Sequence, residues 1–95
     1  MHKLTLPQEI AELIRSLHPE LKKKVRASLQ FILDDPHSGE ALKDDLSGLW
    51  SFRMGGFRII YRIADKRVVE IVAIGPRERI YEETFKLLKK SGIVH

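Results

Sequence analysis

The run Leu49-Trp50-Ser51-Phe52-Arg53-Met54-Gly55-Gly56-Phe57-Arg58-Ile59-Ile60-Tyr61-Arg62-Ile63 decides the fold. Apolar residues recur at every second position on both sides of Gly55-Gly56, the period of a strand. Two glycines between such runs signal a tight hairpin, because a two-residue turn needs φ > 0. Closing the chain there pairs Met54 with Phe57 and sets Arg53 directly opposite Arg58. Side chains so opposed share a sheet face, and two guanidiniums in that position repel at a cost of roughly 0.2–1 kcal/mol. An anion between them removes the cost; two ordinary surface arginines beside carboxylates are the alternative reading. A slip of one residue would turn Arg53 to the other face, so the reading rests on the Gly-Gly turn.

The next segment, residues 63–68, reads as a second hairpin with Asp65-Lys66 at its tip. In that register Arg58 faces Ala73. The third strand stops at Gly75-Pro76, since proline has no N–H for the ladder, and Arg77 leaves the sheet at the end that carries Arg53 and Arg58. Strands are expected over 49–54, 57–64 and 67–74. Trp50, Phe52, Met54, Phe57, Ile59, Tyr61 and Ile63, with Val68, Val72 and Ile74, form the face expected to pack on the helices. Ser51, Arg53, Arg58, Ile60, Arg62, Val69, Ile71 and Ala73 fall on the other, half basic face. Glu70 falls on the packed face opposite Tyr61, an awkward place for a carboxylate away from an edge.

Outward from this core, residues 2–6 can form a short strand ended by Pro7, which suits the first turn of a helix. Ile10, Leu13, Ile14 and Leu17 recur at helical spacing until His18-Pro19 interrupts them. A second helix over 19–34 carries the stripe Leu21, Val25, Leu29, Ile32 and Leu33. The two helices form an αα-hairpin. Lys22, Lys23, Lys24 and Arg26 make its outer surface basic, either a solvated face or a contact for RNA backbone or an acidic partner. Residues 34–39 are a loop, and 40–45 are expected to make a helical turn. A last helix over 78–91 has the stripe Tyr81, Phe85 and Leu88, with Gly92 as its stop. The expected fold class is α+β: an αα-hairpin and a C-terminal helix on a small antiparallel sheet, in the order β-α-α-β-β-β-α, as one domain over residues 1–95.

A chain of 95 residues buries roughly 60–68% of its unfolded surface, enough for one modest core. No apolar run reaches the ~18 residues of a membrane span, and residues 1–7 lack the apolar stretch of a secretion signal. A cytoplasmic protein without membrane contact is therefore expected. The chain has no cysteine, which excludes disulfides, thiolate nucleophiles and cysteine zinc sites. His2, His18, His37 and His95 share no metal-ligand spacing, so no metal or other cofactor is expected. No glycine-rich loop opens a helix, and no serine sits in a nucleophile-elbow context. Asp34-Asp35 and Asp44-Asp45 read as solvated loop or cap residues. The net charge of +4 favours an acidic partner, either nucleic acid or protein.

Three segments carry a resemblance: Leu46-Ser47-Gly48-Leu49-Trp50-Ser51-Phe52-Arg53, Gly56-Phe57-Arg58-Ile59-Ile60-Tyr61-Arg62, and Gly75-Pro76-Arg77-Glu78-Arg79-Ile80-Tyr81. On these the chain resembles the RelE/ParE superfamily, and most of all its RelE branch of bacterial and archaeal toxins from toxin–antitoxin pairs. The resemblance implies an endoribonuclease that cuts mRNA in the ribosomal A site through attack of the messenger's 2′-OH, leaving a 2′,3′-cyclic phosphate and a 5′-hydroxyl. It implies catalytic roles for Arg53, Arg58, Arg77 and Tyr81, RNA contacts from Arg62, Arg79, Lys43 and Ser51, and a cognate antitoxin, the ribosome and mRNA as partners. Arg58 matches the arginine of the middle strand and Arg77 the arginine after the last strand. Two departures stand out. A family lysine aligns with Ser51, and the family tyrosine lies further from its arginine than Tyr81 lies from Arg77.

Cleaving an RNA phosphodiester requires in-line alignment, removal of the 2′ proton, stabilisation of charge on the phosphate and protonation of the leaving oxygen. Arginine forks suit the phosphate. Arginine stays protonated and is a poor base; Tyr81, whose phenolate is favoured by nearby positive charge, is the better candidate, and Arg77 is an inefficient acid. Two other readings of the same residues stay open: a ParE-type toxin that inhibits DNA gyrase by binding, and an inactive relative whose arginines only grip phosphate.

Overall fold

In the computed structural model, which describes residues 2–65 and 67–91, the Gly55-Gly56 turn closes the hairpin that the alternation predicts. Strand β3 (Leu49–Met54) runs antiparallel to β4 (Phe57–Asp65), with Met54 opposite Phe57 and Arg53 opposite Arg58. Gly55 has φ +61°, a conformation that a Cβ disfavours. Strand β5 (Val68–Pro76) lies antiparallel on the other side of β4. Strand β1 (Lys3–Thr5) extends the sheet beyond β5, and β2 (Glu40–Ala41) extends it beyond β3, giving the order β1-β5-β4-β3-β2. Because β1 runs parallel to β5, the sheet is antiparallel except at that edge.

The helical hairpin, α1 (Gln8–Ser16) and α2 (Pro19–Asp34), forms where the spacing predicts it. The Nδ1 atom of His18 accepts from the Glu20 amide at 3.3 Å and caps α2. Ile10, Ile14, Val25, Leu29 and Ile32 pack on Met54, Ile59 and Tyr61 in the main core. Leu13, counted in the apolar stripe, is 38% exposed. The last helix, α3 (Ile80–Ser91), packs on the opposite face of the sheet against Leu49 and Ile60. The helices therefore sandwich the sheet instead of sharing one face. The buried stripe of α3 is Ile80, Thr84 and Leu88, with Tyr81 and Phe85 half-buried. The helix begins at Ile80, two residues after the expected start, and the stripe is turned from the expected one because Ile80 itself packs with Leu49 and Ile60. The predicted stop at Gly92 lies outside the described residues.

Two irregularities in β5–β4 pairing correct the predicted register. Ile60 pairs with Ala73 but Tyr61 pairs with Ile71, so Val72 is an extra residue in β5; Ile63 pairs with Val69 but Asp65 pairs with Val68, so Ala64 is extra in β4. Such bulges reverse which face the following side chains occupy. Val69 and Ile71 consequently join the main core, whereas Val72 and Ala73 turn to α3. Arg58 pairs with Gly75, not Ala73. Glu70 pairs with Arg62 instead of Tyr61 and forms an ion pair with it at 2.8 Å, which removes the buried carboxylate that the simple alternation implied.

The segment expected as a helical turn over 40–45 instead starts as β2, which uses the free edge of β3: Glu40 pairs with Ser51 and Ala41 with Trp50. Only Asp44–Leu46 makes a short 3-10 turn. The loop before β2 is pinned from beneath. Tyr61 is fully buried, and its hydroxyl donates to the Pro36 carbonyl. Trp50 stacks on Tyr61 at 6.5 Å and meets the edge of His37 at 5.2 Å. A Cβ at Gly39 would lie 2.5 Å from the Tyr61 hydroxyl and 2.9 Å from the Ser51 carbonyl oxygen, so the loop can approach this closely only with glycine.

Two predictions follow from this packing. Gly39→Ala forces backbone and ring apart and lowers the urea-unfolding free energy by about 1–3 kcal/mol, the usual cost of overpacking. Burial raises the Tyr61 pKa above its ordinary 10.0, opposed by a hydrogen bond with the Gly39 backbone and reinforced by the charge of Asp35. The folded state then holds the phenolic proton where the unfolded chain releases it, so stability falls as pH rises above 10. Tyr61→Phe removes this alkaline loss, while at neutral pH it costs about 1–3 kcal/mol through the unpaired Pro36 carbonyl; urea titrations at neutral and alkaline pH measure both effects.

Candidate active site

Turn and strand geometry bring the predicted arginines to one end of the sheet. Arg53 and Arg58 oppose each other next to the Gly55-Gly56 turn. Pro76 pairs with Phe57, and the Arg77 amide donates to the Gly56 carbonyl at 2.9 Å. The pairing of Phe57 with Pro76 thus seats Arg77 beside the turn, nearer the arginine pair than the predicted register does. The Arg79 amide then donates to the Pro76 carbonyl at 3.2 Å, a turn that leaves Arg77 and Arg79 exposed and directs Ile80 and Tyr81 onto the sheet.

Arg58 is held in place. Its Nη1 donates to Ser51 Oγ at 3.1 Å, and Ser51 Oγ is hydrogen-bonded to the Tyr81 hydroxyl at 3.2 Å. The guanidinium also lies over the Tyr81 ring, 6.0 Å from its centroid, at the outer limit of a cation–π contact. Ser51 is 1% exposed; its small hydroxyl fits beneath α3 and ties the middle strand to the first turn of that helix. Arg58 Nε is buried without a hydrogen-bond partner. Among the described residues the ion pairs are Arg62–Glu70 and Lys86–Glu82, so no carboxylate neutralises Arg53, Arg58, Arg77 or Arg79 there. Glu40 lines the same cleft as Arg53 and Arg58, but it forms an ion pair with neither.

Arg53, Arg58 and Ser51 line an open cleft of ≈ 360 Å³ together with Ser38, Gly39, Glu40 and Phe52. Its far wall is the loop that Tyr61 and Trp50 pin. The sequence reading missed that wall and Glu40, because the two-residue pairing of β2 has no periodicity of its own. The remaining predicted contacts lie apart. Arg62 is four residues along β4 from Arg58, about 13 Å at strand rise, and is tied to Glu70. Lys43 is exposed on the turn after β2. Among the described residues no three His, Asp or Glu side chains group as metal ligands, and no helix is long and apolar enough to cross a membrane.

The arrangement is suited to a phosphate: two opposed guanidiniums with no neutralising partner, one already fixed by serine and tyrosine. Inorganic phosphate should therefore raise the melting temperature with concentration, by mass action adding about 2.7 kcal/mol at 100 times its Kd. Arg53→Ala and Arg58→Ala should each reduce that rise; thermal melts across a phosphate titration measure it.

Comparison with known proteins agrees with the fold and the recognised segments. The family model described as ParE toxin of type II toxin-antitoxin system, parDE, matches residues 7–81. Toxin RelE of Mycobacterium tuberculosis (strain ATCC 25618 / H37Rv) is 37% identical over 73 residues, which span 70% of this chain and 75% of the relative. The fold matches the RelBE2 toxin–antitoxin complex from Mycobacterium tuberculosis with TM-score 0.69 at 24% identity, over 80% of this chain and 98% of that one. It also matches a doubly substituted variant of E. coli toxin RelE in the free state, with TM-score 0.71 at 17% identity over 95% and 96% of the two chains. The YoeB-YefM complex from Staphylococcus aureus gives TM-score 0.63 at 20% identity over 78% and 94%. The chain belongs to the RelE/ParE superfamily and is a RelE-like toxin of a type II toxin–antitoxin system.

Proposed function

We propose that this toxin is a ribosome-dependent mRNA endoribonuclease of the cytoplasm. The observation that carries the reading is the opposed pair Arg53–Arg58, un-neutralised and with Arg58 held by Ser51 and Tyr81. The 2′-hydroxyl attacks the adjacent phosphorus in line with the departing 5′-oxygen, giving a 2′,3′-cyclic phosphate and a 5′-hydroxyl. Charge growing on the non-bridging oxygens is met by guanidinium forks, which match their geometry. Because Arg58 is ordered before RNA arrives, little side-chain entropy is lost when it engages, the property that makes pre-positioned donors effective. Arg77 and Arg79, exposed beside the turn, extend the positive surface along the RNA backbone. Tyr81 acts at the site through its contact with Ser51 and Arg58, and Lys43 and Arg62 lie further out as backbone contacts.

The set is small for a nuclease. The ribosome supplies the alignment of the message, so free RNA is cut slowly or not at all. The antitoxin is an acidic or amphipathic segment that folds onto the toxin and covers or displaces its basic face. Solved relatives described as RelE-RelB and YoeB-YefM complexes support such a partner.

The test is expression of the chain alone in a bacterium with mapping of mRNA 5′-ends. Codon-phased cuts are expected, and Arg58→Ala and Arg77→Ala should each lower the cleavage rate on programmed ribosomes by about 10²–10³-fold. Growth arrest with intact mRNA and blocked gyrase would assign the ParE-type activity instead, and absence of toxicity would assign a binding protein.

A further inference from the structure

The cleft that holds Arg53 and Arg58 opens across a free edge of the sheet. Strand β2 pairs with β3 through Glu40–Ser51 and Ala41–Trp50, so β3 runs on past it as an edge over Phe52, Arg53 and Met54. The cleft lies there, between Ser38-Gly39 and Phe52-Arg53. Successive strand side chains point to opposite faces. Ser51 and Arg53 share the face of Arg58, whereas Phe52 lies on the face of the helical hairpin, half-buried against the main core. The notch therefore has a cationic side and an aromatic side.

The aromatic side continues beyond Phe52. Phe31, in the last turns of α2, lies against it with ring centroids 5.6 Å apart and planes tilted by 46°. Phe31 is 57% exposed; among the described residues the other exposed large apolar side chains are Leu13 and Leu87, neither of them aromatic. A single exposed apolar side chain is ordinary on a protein surface. Phe31 differs in its place, since its ring extends a wall of the cleft. Its surroundings suit an uncharged, planar occupant. Ala27, one turn earlier on the same helix face, is exposed and small, which leaves the flank of the ring open. Asp34, one turn later, accepts from Gln30 at 3.1 Å, and Asp35 accepts from the His37 amide at 3.3 Å. These carboxylates repel phosphate from the ring and direct the RNA backbone to the guanidinium side. A nucleobase is neutral and has a π-face, and stacking on an aromatic side chain is the common way to hold an unpaired base.

We infer that Phe31, backed by Phe52, is a stacking platform for a base next to the phosphate held between Arg53 and Arg58, an inference that rests on the RNA-cleavage reading above. The RNA backbone crosses the edge of β3 at the notch, with the phosphate on the arginine side and the neighbouring base turned onto the ring. The contact tolerates any base. It adds to the binding of the message and takes no part in proton transfer.

The experiment measures binding of a 2′-deoxy message, which cannot be cut, to the toxin on programmed ribosomes, with single-turnover cleavage of the ordinary message alongside. Wild type, Phe31→Ala, Phe31→Trp and Arg58→Ala are compared, and each message is also made with an abasic residue at either nucleotide flanking the scissile phosphate. Phe31→Ala should weaken binding of the intact deoxy message by about 5–150-fold, the range for loss of one stacked base, and Phe31→Trp should restore it. An abasic residue at one flanking position should weaken wild type by a similar factor and leave Phe31→Ala unchanged, the coupling expected of two groups in contact. Saturating toxin should recover cleavage by Phe31→Ala but not by Arg58→Ala. The inference is overturned if Phe31→Ala binds the intact message as tightly as wild type, or if abasic residues cost both proteins equally. A free wild-type toxin that sediments as a dimer, and becomes monomeric in Phe31→Ala with message binding unchanged, would assign the ring to contact between copies instead. Should wild type leave ribosome-bound mRNA intact, the cleavage reading falls and the platform with it; cleavage by wild type that is indifferent to Phe31 removes the platform alone.

Discussion

One extra residue in β5, Val72, governs how the two faces of the sheet are used. Without it, strict alternation from Ile74 would send Val69 and Ile71 to the α3 side and turn Glu70 to the main-core face opposite Ile63. With it, Val69 and Ile71 complete the core under the helical hairpin, and Glu70 meets Arg62 at the surface. The register beyond it pairs Phe57 with Pro76 and brings the Arg77 amide to Gly56. A bulge is usually a local disturbance of the ladder. Here it serves the apolar face and the basic end together, because both depend on the β4–β5 register.

The site lies where three pieces of the chain, separate in sequence, meet. The β3–β4 hairpin supplies the arginine pair, the first turn of α3 supplies Tyr81, and the loop leading to β2 supplies the opposite wall. Ser51 joins the first two. A lysine at that position, as the family resemblance suggests, would bring another charge toward Arg58; serine gives a short, buried hydroxyl that orders the arginine instead. Placing two like charges face to face is costly, and ordering a long side chain costs rotamer entropy. Both costs fall on folding and are met by the surrounding core, so an incoming phosphate finds donors already in place.

The structural relatives share the architecture at 17–24% identity, which is what a fold held by patterned apolar faces permits: many side-chain sets fill the same two layers. The groups around the cleft obey tighter rules. Gly39 cannot carry a Cβ without meeting Tyr61 and the Ser51 backbone, and Ser51 cannot be enlarged beneath α3 without losing the link between Arg58 and Tyr81.

The sequence by itself determined the hairpin, both helices of the αα pair and the opposition of Arg53 to Arg58, since each follows from short-range rules: a turn that needs glycine, a 3.6-residue apolar period, a two-residue strand period. It placed Arg77 at the right end because Pro76 must end the ladder. Tertiary structure alone decided the bulge at Val72, the packing of α3 on the far face, the pairing of Glu40–Ala41 with β3 and the cleft that results. A bulge and a two-residue edge strand have no period to read. They form because distant segments must bury apolar area and pair backbone groups at once, and only the assembled sheet and helices impose that demand.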